Sequence, residues 1–392
     1  MNRPLRIAVV AACPFPLARG TPIRILRLSE ALAERGHEVH VLTYHLGSGP
    51  VPAALRVHRT KDVPSYQKLS PGPTYAKLLH LDPLLVGLSR RLLRSQSFDV
   101  IHAHHYEGLL VAQIARLGRR IPLVYDAHTL LMNELPTYRL GLPYGMKRAI
   151  SIGLDRLLPA MADHTVCVTQ VIADRLVAHT RIDPRKLTVM PNGVEYEHFD
   201  PAPYAHSERG DHRIVIFTGN LAGYQGIELL LRAFAQVPTH VPDARLVIGS
   251  DSSFEPYEEL ATQLGIRDRI DIVPSPSYDD LPRLLAGADV AVNPRVDCDG
   301  LPVKLLNYMA SGRPVVSFDS SAPGVVHGQT GWLAPSGNIA ALAEGIVSLL
   351  NDRELAAGLG QAGRQYVATH CSWPIAAQRC EAIYRQLLQA QN

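Results

Sequence analysis

The sequence predicts an α/β protein made of two parallel-sheet domains, and three observations carry that expectation. The chain has 392 residues, more than one hydrophobic core usually serves. Short apolar runs alternate with amphipathic stretches, the pattern of strands joined by helical crossovers. The same order of elements also begins twice. LRIAVVAA, CPFPLARGTP, IRILRLSEALAERG and HEVHVLTY read as strand, loop, helix and strand; RIVIFTG, NLAGYQG, IELLLRAFAQV and ARLVIGSD repeat that order in the second half.

In the first opening, Ile25, Leu28 and Leu32 line one helical face and Gly36 stands where the helix should stop. DVIHAH, IPLVYDAH, HTVCVT and KLTVM add further strands. In the second opening Ile227, Leu230, Leu231 and Phe234 form the apolar stripe, and IDIV, ADVAVNP and RPVVSF continue that sheet. The intervening PNGVEYEHFDPAPYAHSERGDH is rich in turn formers and poor in periodic apolar residues. The expected division is therefore a domain over 1–195, a linker over 196–210 and a domain over 211–372. A final helix over about 373–392 has Ser372 as N-cap and Pro374 in its first turn.

Composition excludes several classes. With 46% hydrophobic and 19% charged residues the chain is globular, and a net charge of +3 without a Lys/Arg run argues against a nucleic-acid partner. Five scattered cysteines, odd in number and without CxxC spacing, suit a reducing compartment. The apolar run after Arg3 and Arg6 is short for a signal segment, and no stretch has transmembrane length. The expected location is cytoplasmic, with peripheral contact at the inner face of a membrane as a second expectation. YAKLLHLDPLLVGLSRRLLRSQ, carrying Arg90, Arg91 and Arg94, reads as an amphipathic domain helix or as such a membrane contact.

Two turns carry chemistry. GNLAGYQG, Gly219 to Gly226, lies between a strand and a helix and has the composition of a phosphate loop, yet holds no Lys or Arg. NPRVDCDGLPVKLLNYMASGRPVVSF makes a second strand-to-helix turn, with Pro302 in the first helical turn, Leu305, Leu306 and Met309 inward, and Asp299, Lys304 and Asn307 as polar groups on or near the turn. Asp299 also suits an N-cap, and Asn307 a solvated helix position. In HAHH, alternation puts His102 and His104 on one strand face, where Asp126 and His128 of YDAH would make a metal set; the site is nevertheless read as metal-free. Neither opening has GxGxxG, which disfavours a nicotinamide enzyme.

Taken in order, ARGTPIR, LAERGHEVHVLT, DVIHAH, YDAH, PNGV with HFDP, GNLAGYQG, the DGLPVKLLNYMASGRPVV segment and the closing SWP helix resemble the retaining glycosyltransferases of family 4, over almost the whole chain. The resemblance implies the GT-B architecture, two Rossmann-like domains facing across a cleft, and a final helix returning to the N-terminal domain. It implies sugar transfer from a nucleotide-sugar co-substrate to a glycan, lipid-linked or small-molecule acceptor, with no metal or other cofactor required. The family's Arg and Lys of the phosphate turn fall here on Asn220 and Gln225, its two glutamates on Asp299 and Asn307, and its Gly-Gly loop on Gly20-Thr21. The resemblance implies His128 and Asp299 at the reaction centre. Gly219, Asn220, Gln225, Gly226, Arg295, Gly300, Leu301, Pro302, Lys304 and Asn307 would surround the donor, and Arg19, Gly20, Thr21, Arg24 and His104 the acceptor and phosphate loop. The expectation is that Lys304, with Arg24 or Arg295, replaces the two lost cations, while Gly219 to Gly226 contributes backbone N–H groups. Two competing readings are a non-catalytic sugar-nucleotide or glycan binder and a metal-dependent hydrolase on HAHH and YDAH.

Overall fold

The computed structural model describes residues 3–17, 20–69, 75, 77–137, 141–180, 182–204, 211–296 and 302–391. The chain divides into two compact units, Met1–Gly193 with Trp373–Asn392, and Val194–Ser372. Each is an α/β layer structure around its own parallel sheet.

The first unit contains β1 (Arg6–Ala11), β2 (Glu38–Thr43), β3 (Leu55–Arg59), β4 (Val100–His104), β5 (Leu123–Ala127), β6 (His164–Cys167) and β7 (Leu187–Val189). They pair in the order β3-β2-β1-β4-β5-β6-β7, every pair parallel. The second unit contains β8 (Arg213–Thr218), β9 (Ala244–Ser250), β10 (Ile270–Pro274), β11 (Val290–Asn293), β12 (Val315–Phe318) and β13 (Trp332–Ala334). Their order is β10-β9-β8-β11-β12-β13, again parallel throughout. Strand order reverses between β1 and β4 in one sheet and between β8 and β11 in the other. Open parallel sheets bind ligands at the C-terminal strand ends beside such a reversal. At these ends stand Thr21, in the first turn of the helix after β1, His104, the last residue of β4, and His128, just after β5; the turns after β8 and β11 carry Gly219–Gly226 and Arg295.

Central strands are covered on both faces, so the last five residues of β1 and the last four of β8 are buried. The helix Gly20–Glu34 buries Ile25, Leu28 and Leu32, and Gly36 adopts φ 87° just beyond it. Residues 82–95 form a helix whose leucines 85, 88, 92 and 93 turn into the core of the first unit.

Two features differ from the sequence expectation. Residues 196–204, assigned to the linker, pack on the second unit: Phe199 is fully buried there, and Arg364 donates to the Phe199 carbonyl at 3.2 Å and to Asp200 at 3.1 Å. Ser372 hydrogen-bonds backwards, its hydroxyl donating to the Ala368 carbonyl at 3.3 Å. The helix Trp373–Gln389 closes the first unit. Trp373, Ala377, Cys380, Ile383 and Tyr384 join the core formed by Ile7, Val9, Val39, Val124 and Val166. A Cβ at Gly193 would stand 2.5 Å from the Trp373 ring, so the chain presses directly on the indole.

Trp373→Ala removes a large, nearly buried side chain from this contact. Denaturant unfolding should show a loss of about 3–5 kcal/mol; a loss below about 1 kcal/mol would mean the indole is not part of the core.

Candidate active site

The first unit builds a buried polar cluster on adjacent strands. Alternation along β4 directs His102 and His104 to one face, and the β4–β5 register sets His104 opposite Asp126. The two imidazoles stack with centroids 4.5 Å apart, and Asp126 has no solvent exposure. Arg24, almost fully buried, donates from Nε to Asp126 Oδ2 at 3.0 Å. Its other nitrogens donate to the carbonyls of Pro191 (3.0 Å) and Met190 (3.2 Å) and to Asn192 Oδ1 (3.2 Å). Arg24 therefore departs from its expected place at a phosphate: the guanidinium faces inward and neutralises a buried carboxylate. A buried charge persists only when paired and hydrogen-bonded in this way.

His128 sits at the edge of the cluster. Its Nε2 lies 3.1 Å from His104 Nδ1 and its Nδ1 lies 3.3 Å from the Thr21 hydroxyl. On the inner side the Tyr384 hydroxyl meets His102 Nδ1 at 2.5 Å. Burial, aided by the Arg24 charge, pushes His128 down to about 3 against the opposing pull of Asp126. Burial likewise holds His104 well below the ordinary histidine range. Burial alone would raise Asp126, but Arg24, with the neighbouring histidines, holds its carboxyl well below the usual range. At neutral pH the cluster thus contains a carboxylate, a guanidinium and, in His104 and His128, two neutral imidazoles. Neutral His128 can donate or accept a hydrogen bond but brings no formal charge.

Among the described residues His102, His104 and Asp126 are a group with cation-ligand spacing, their ligand atoms within 4.8 Å of one another. The charge balance does not fit a metal. The Arg24 guanidinium already supplies the positive charge at Asp126, and a divalent ion beside it would be repelled.

In the second unit a side-chain cation reaches the Gly219–Gly226 turn. Lys304, in the helix Val303–Ala310, donates from Nζ to Gln225 Oε1 at 2.5 Å and lies 4.0 Å from the centroid of the Phe217 ring. A Cβ at Gly219 would lie 3.6 Å from Nζ, in ordinary van der Waals contact, so the ammonium sits beside this glycine. Arg295 stacks its guanidinium over Tyr224 of the same turn, 5.0 Å from the ring centroid. Gly226 adopts φ 75°, and any side chain there would collide with the Pro294 carbonyl.

The backbone of this turn contributes less than expected. The N–H groups of Gly219, Ala222, Gln225 and Gly226 are bonded to Gly249 O, Asn220 Oδ1, Ala222 O and Gly223 O. Asn220 is likewise engaged within the turn, its Nδ2 donating to the Tyr224 hydroxyl at 3.0 Å and its Oδ1 accepting from Gln225 Nε2 at 3.3 Å. At the base of the turn, Thr218 N donates to the Tyr308 hydroxyl at 2.8 Å.

Asn307 is not a solvated helix residue. It is 7% exposed, and its Oδ1 is buried without a hydrogen-bond partner among the described residues. The N-cap of the helix is Pro302, so Asp299 does not hold that position. Arg19, Asp299, Gly300 and Leu301 themselves lie outside the described residues. Sequence reading weighed Asp126 only as a metal ligand, not as the partner of Arg24, and missed Tyr384 as a member of the site. The carboxylate two residues before His128 was a usable signal; the tyrosine, in the last helix, carried none.

Two Rossmann-like domains with parallel sheets and loop-borne polar sites at strand ends define the GT-B class of fold. Residues 18–198 match the family profile described as Glycosyltransferase Family 4, and residues 201–366 that of Glycosyl transferases group 1. The chain belongs to the glycosyltransferases with a family 4 domain followed by a group 1 domain, and it is an enzyme of that class. D-inositol 3-phosphate glycosyltransferase of Corynebacterium glutamicum is 25% identical over 419 residues, covering 99% of this chain and 98% of that protein. The protein of the same name from Geodermatophilus obscurus is 28% identical, covering 97% and 89%. Among solved structures, sucrose-phosphate synthase from Thermosynechococcus elongatus superposes with a TM-score of 0.78 at 22% identity, covering 98% of this chain and all of the other. Anabaena HepE in complex with UDP and glucose gives 0.70 at 18% identity, covering 97% and 100%.

Arg24→Met should leave Asp126 ionised, buried and unpaired, with an expected loss of about 3–5 kcal/mol in denaturant unfolding. The double variant Arg24→Met, Asp126→Asn should recover part of it. A single variant as stable as the parent would show that the pair is not what holds the cluster.

Proposed function

We propose that the enzyme transfers a sugar, with retention of anomeric configuration, from a nucleoside-diphosphate sugar to a glycan, lipid-linked or small-molecule acceptor. The observation that carries this reading is Lys304: its ammonium reaches the phosphate-type turn through Gln225 and Gly219, where the family's usual cations are absent. A departing diphosphate needs positive charge already in place, and a lysine fixed by a buried helix supplies it without reorganisation. The N-terminus of the helix Val303–Ala310 adds its dipole in the same sense. The buried Asn307 Oδ1 is an acceptor of the kind a ribose hydroxyl would satisfy.

In this reading His128, neutral and held by His104 and Thr21, positions the transferring sugar and hydrogen-bonds polar oxygen at the reaction centre. Asp299 orients the donor sugar. Gly20, Thr21 and His104 belong to the acceptor side, and charge stabilisation on the donor comes from the protein rather than a metal. HepE, solved with UDP-glucose, makes UDP the first nucleotide to test. We place the reaction in the cytoplasm or at the inner face of a membrane. Cysteine usage favours the former, and among the described residues no helix is long and apolar enough to cross a membrane.

The experiment is the melting-point shift produced by UDP and UDP-sugars, in the parent and in Lys304→Ala. The parent should be stabilised in the presence or absence of EDTA. The variant should bind at least about tenfold more weakly, matching loss of a charge-assisted contact of about 1.5–3 kcal/mol. Equal shifts in the two proteins would remove Lys304 from the donor site.

A further inference from the structure

The first unit contains a cavity of about 640 Å³ that the reaction described above does not use. Val86, Tyr106, Leu110, Leu131, Ile150 and Leu154 are among its walls, and apolar surface dominates them. Its size falls in the range of ligand pockets, about 300–1,000 Å³. At about 30 Å³ per heavy atom, the volume share of a water molecule in the liquid, it has room for a chain on the order of twenty carbons.

Two observations say what fills it. First, two of its wall residues, Tyr106 and Leu131, stand close in sequence to the histidine cluster. Tyr106 follows His105, whose ring lies 6.2 Å from that of His128. Leu131 lies three residues beyond His128, and the carboxylate of Asp155 fixes this segment by accepting from the Leu131 and Met132 N–H groups at 2.9 and 2.8 Å. A ligand lodged in the cavity would therefore present its other end toward His128. Second, the helix Tyr144–Leu157, which supplies Lys147, Ile150 and Leu154 to the wall, leaves Tyr144, Met146, Ile150 and Leu157 exposed. Its charged residues are Lys147, Arg148, Arg156 and Asp155, and the one acid is turned inward onto Leu131 and Met132. An apolar and cationic outer face of this kind is complementary to an anionic lipid surface.

We propose that the cavity is a binding site for the aliphatic chain of an amphiphilic acceptor, taken from an anionic lipid surface on which helix 144–157 rests. The inference deepens the function proposed above and rests on it for the word acceptor; the binding site itself is tested without any sugar transfer. The chain lies in the cavity, the polar head emerges beside His128, and chain length sets affinity because each added methylene leaves water.

The probe is cis-parinaric acid, a fluorescent eighteen-carbon fatty acid, titrated into the full-length parent and into Ile150→Asp and Leu110→Trp. The first substitution puts a charge on an exposed part of the wall, and the second fills the cavity. The parent should give a saturable one-to-one signal that dodecyl maltoside displaces and hexyl maltoside does not, with both variants binding at least tenfold more weakly. UDP-induced stabilisation, measured on the same samples, should be equal in all three proteins. No saturable signal in the parent, or parent-like binding by both variants, overturns the chain-binding site, and an intact UDP shift would leave the transferase reading standing. Fatty-acid binding without any UDP shift would keep the cavity assignment and count against the donor assignment instead. A parent that sediments as a dimer and separates with Ile150→Asp would show a second copy on this face and overturn the proposal.

Discussion

A carboxylate with no access to water is costly to keep ionised, and the first unit is organised around making that possible for Asp126. Arg24 provides the opposite charge, and the carbonyls of Met190 and Pro191, with the Asn192 side chain, take its remaining N–H groups. Three parts of the chain are thereby tied together: the first helix, β5 and the segment leaving β7. With the single positive charge committed to Asp126, no second one is favoured nearby. His104 and His128 remain neutral; Tyr384 is hydrogen-bonded to His102, His102 stacks on His104, and His104 is hydrogen-bonded to His128. An imidazole in this state can position a polar group by hydrogen bonding but cannot act as a cationic acid.

The second unit solves a different electrostatic problem with a different device. Its glycine turn is bonded largely to itself and to β9, so it offers shape and close approach more than free donors. Charge has to arrive from a side chain, and Lys304 comes from a helix whose residues 305–310 are all buried. Such a helix cannot shift without disturbing the core, which gives the ammonium a defined position. Tyr308, bonded to Thr218 at the foot of the turn, couples the same helix to the loop it serves.

Much of this was visible in the sequence because buried parallel strands are written as apolar runs: RIAVVA and RIVIFT announce themselves. The strands that escaped are at sheet edges. β3 alternates Arg56, His58 and Arg59 with its apolar residues, and β13 has only three residues. Arg24 was assigned to the acceptor and phosphate loop because it stands just after the loop that follows the first strand. Its spacing of four from Leu28 and eight from Leu32 places it instead on the buried stripe of the helix. The burial of Asn307, which excludes the alternative of a solvated position, was not legible because one apolar stripe was assumed where the helix is buried nearly all round. The meeting of Lys304 with Gln225 depends on long-range packing between positions 79 residues apart, which no local pattern encodes. Reading Lys304 as a replacement cation rested on chemical need, a phosphate turn without charge.

The claim on which the account turns is that burial, helped by the Arg24 charge and against the pull of Asp126, keeps the His128 imidazole neutral. It is tested most directly by following the ring nitrogens of His128 in the folded protein by NMR as pH is lowered from 8 to 5, assigned with a His128→Asn variant. The account predicts neutral-ring shifts throughout, with no titration, because burial pushes His128 down to about 3. A midpoint near the ordinary histidine value of about 6.5, in protein that is still folded, would contradict it.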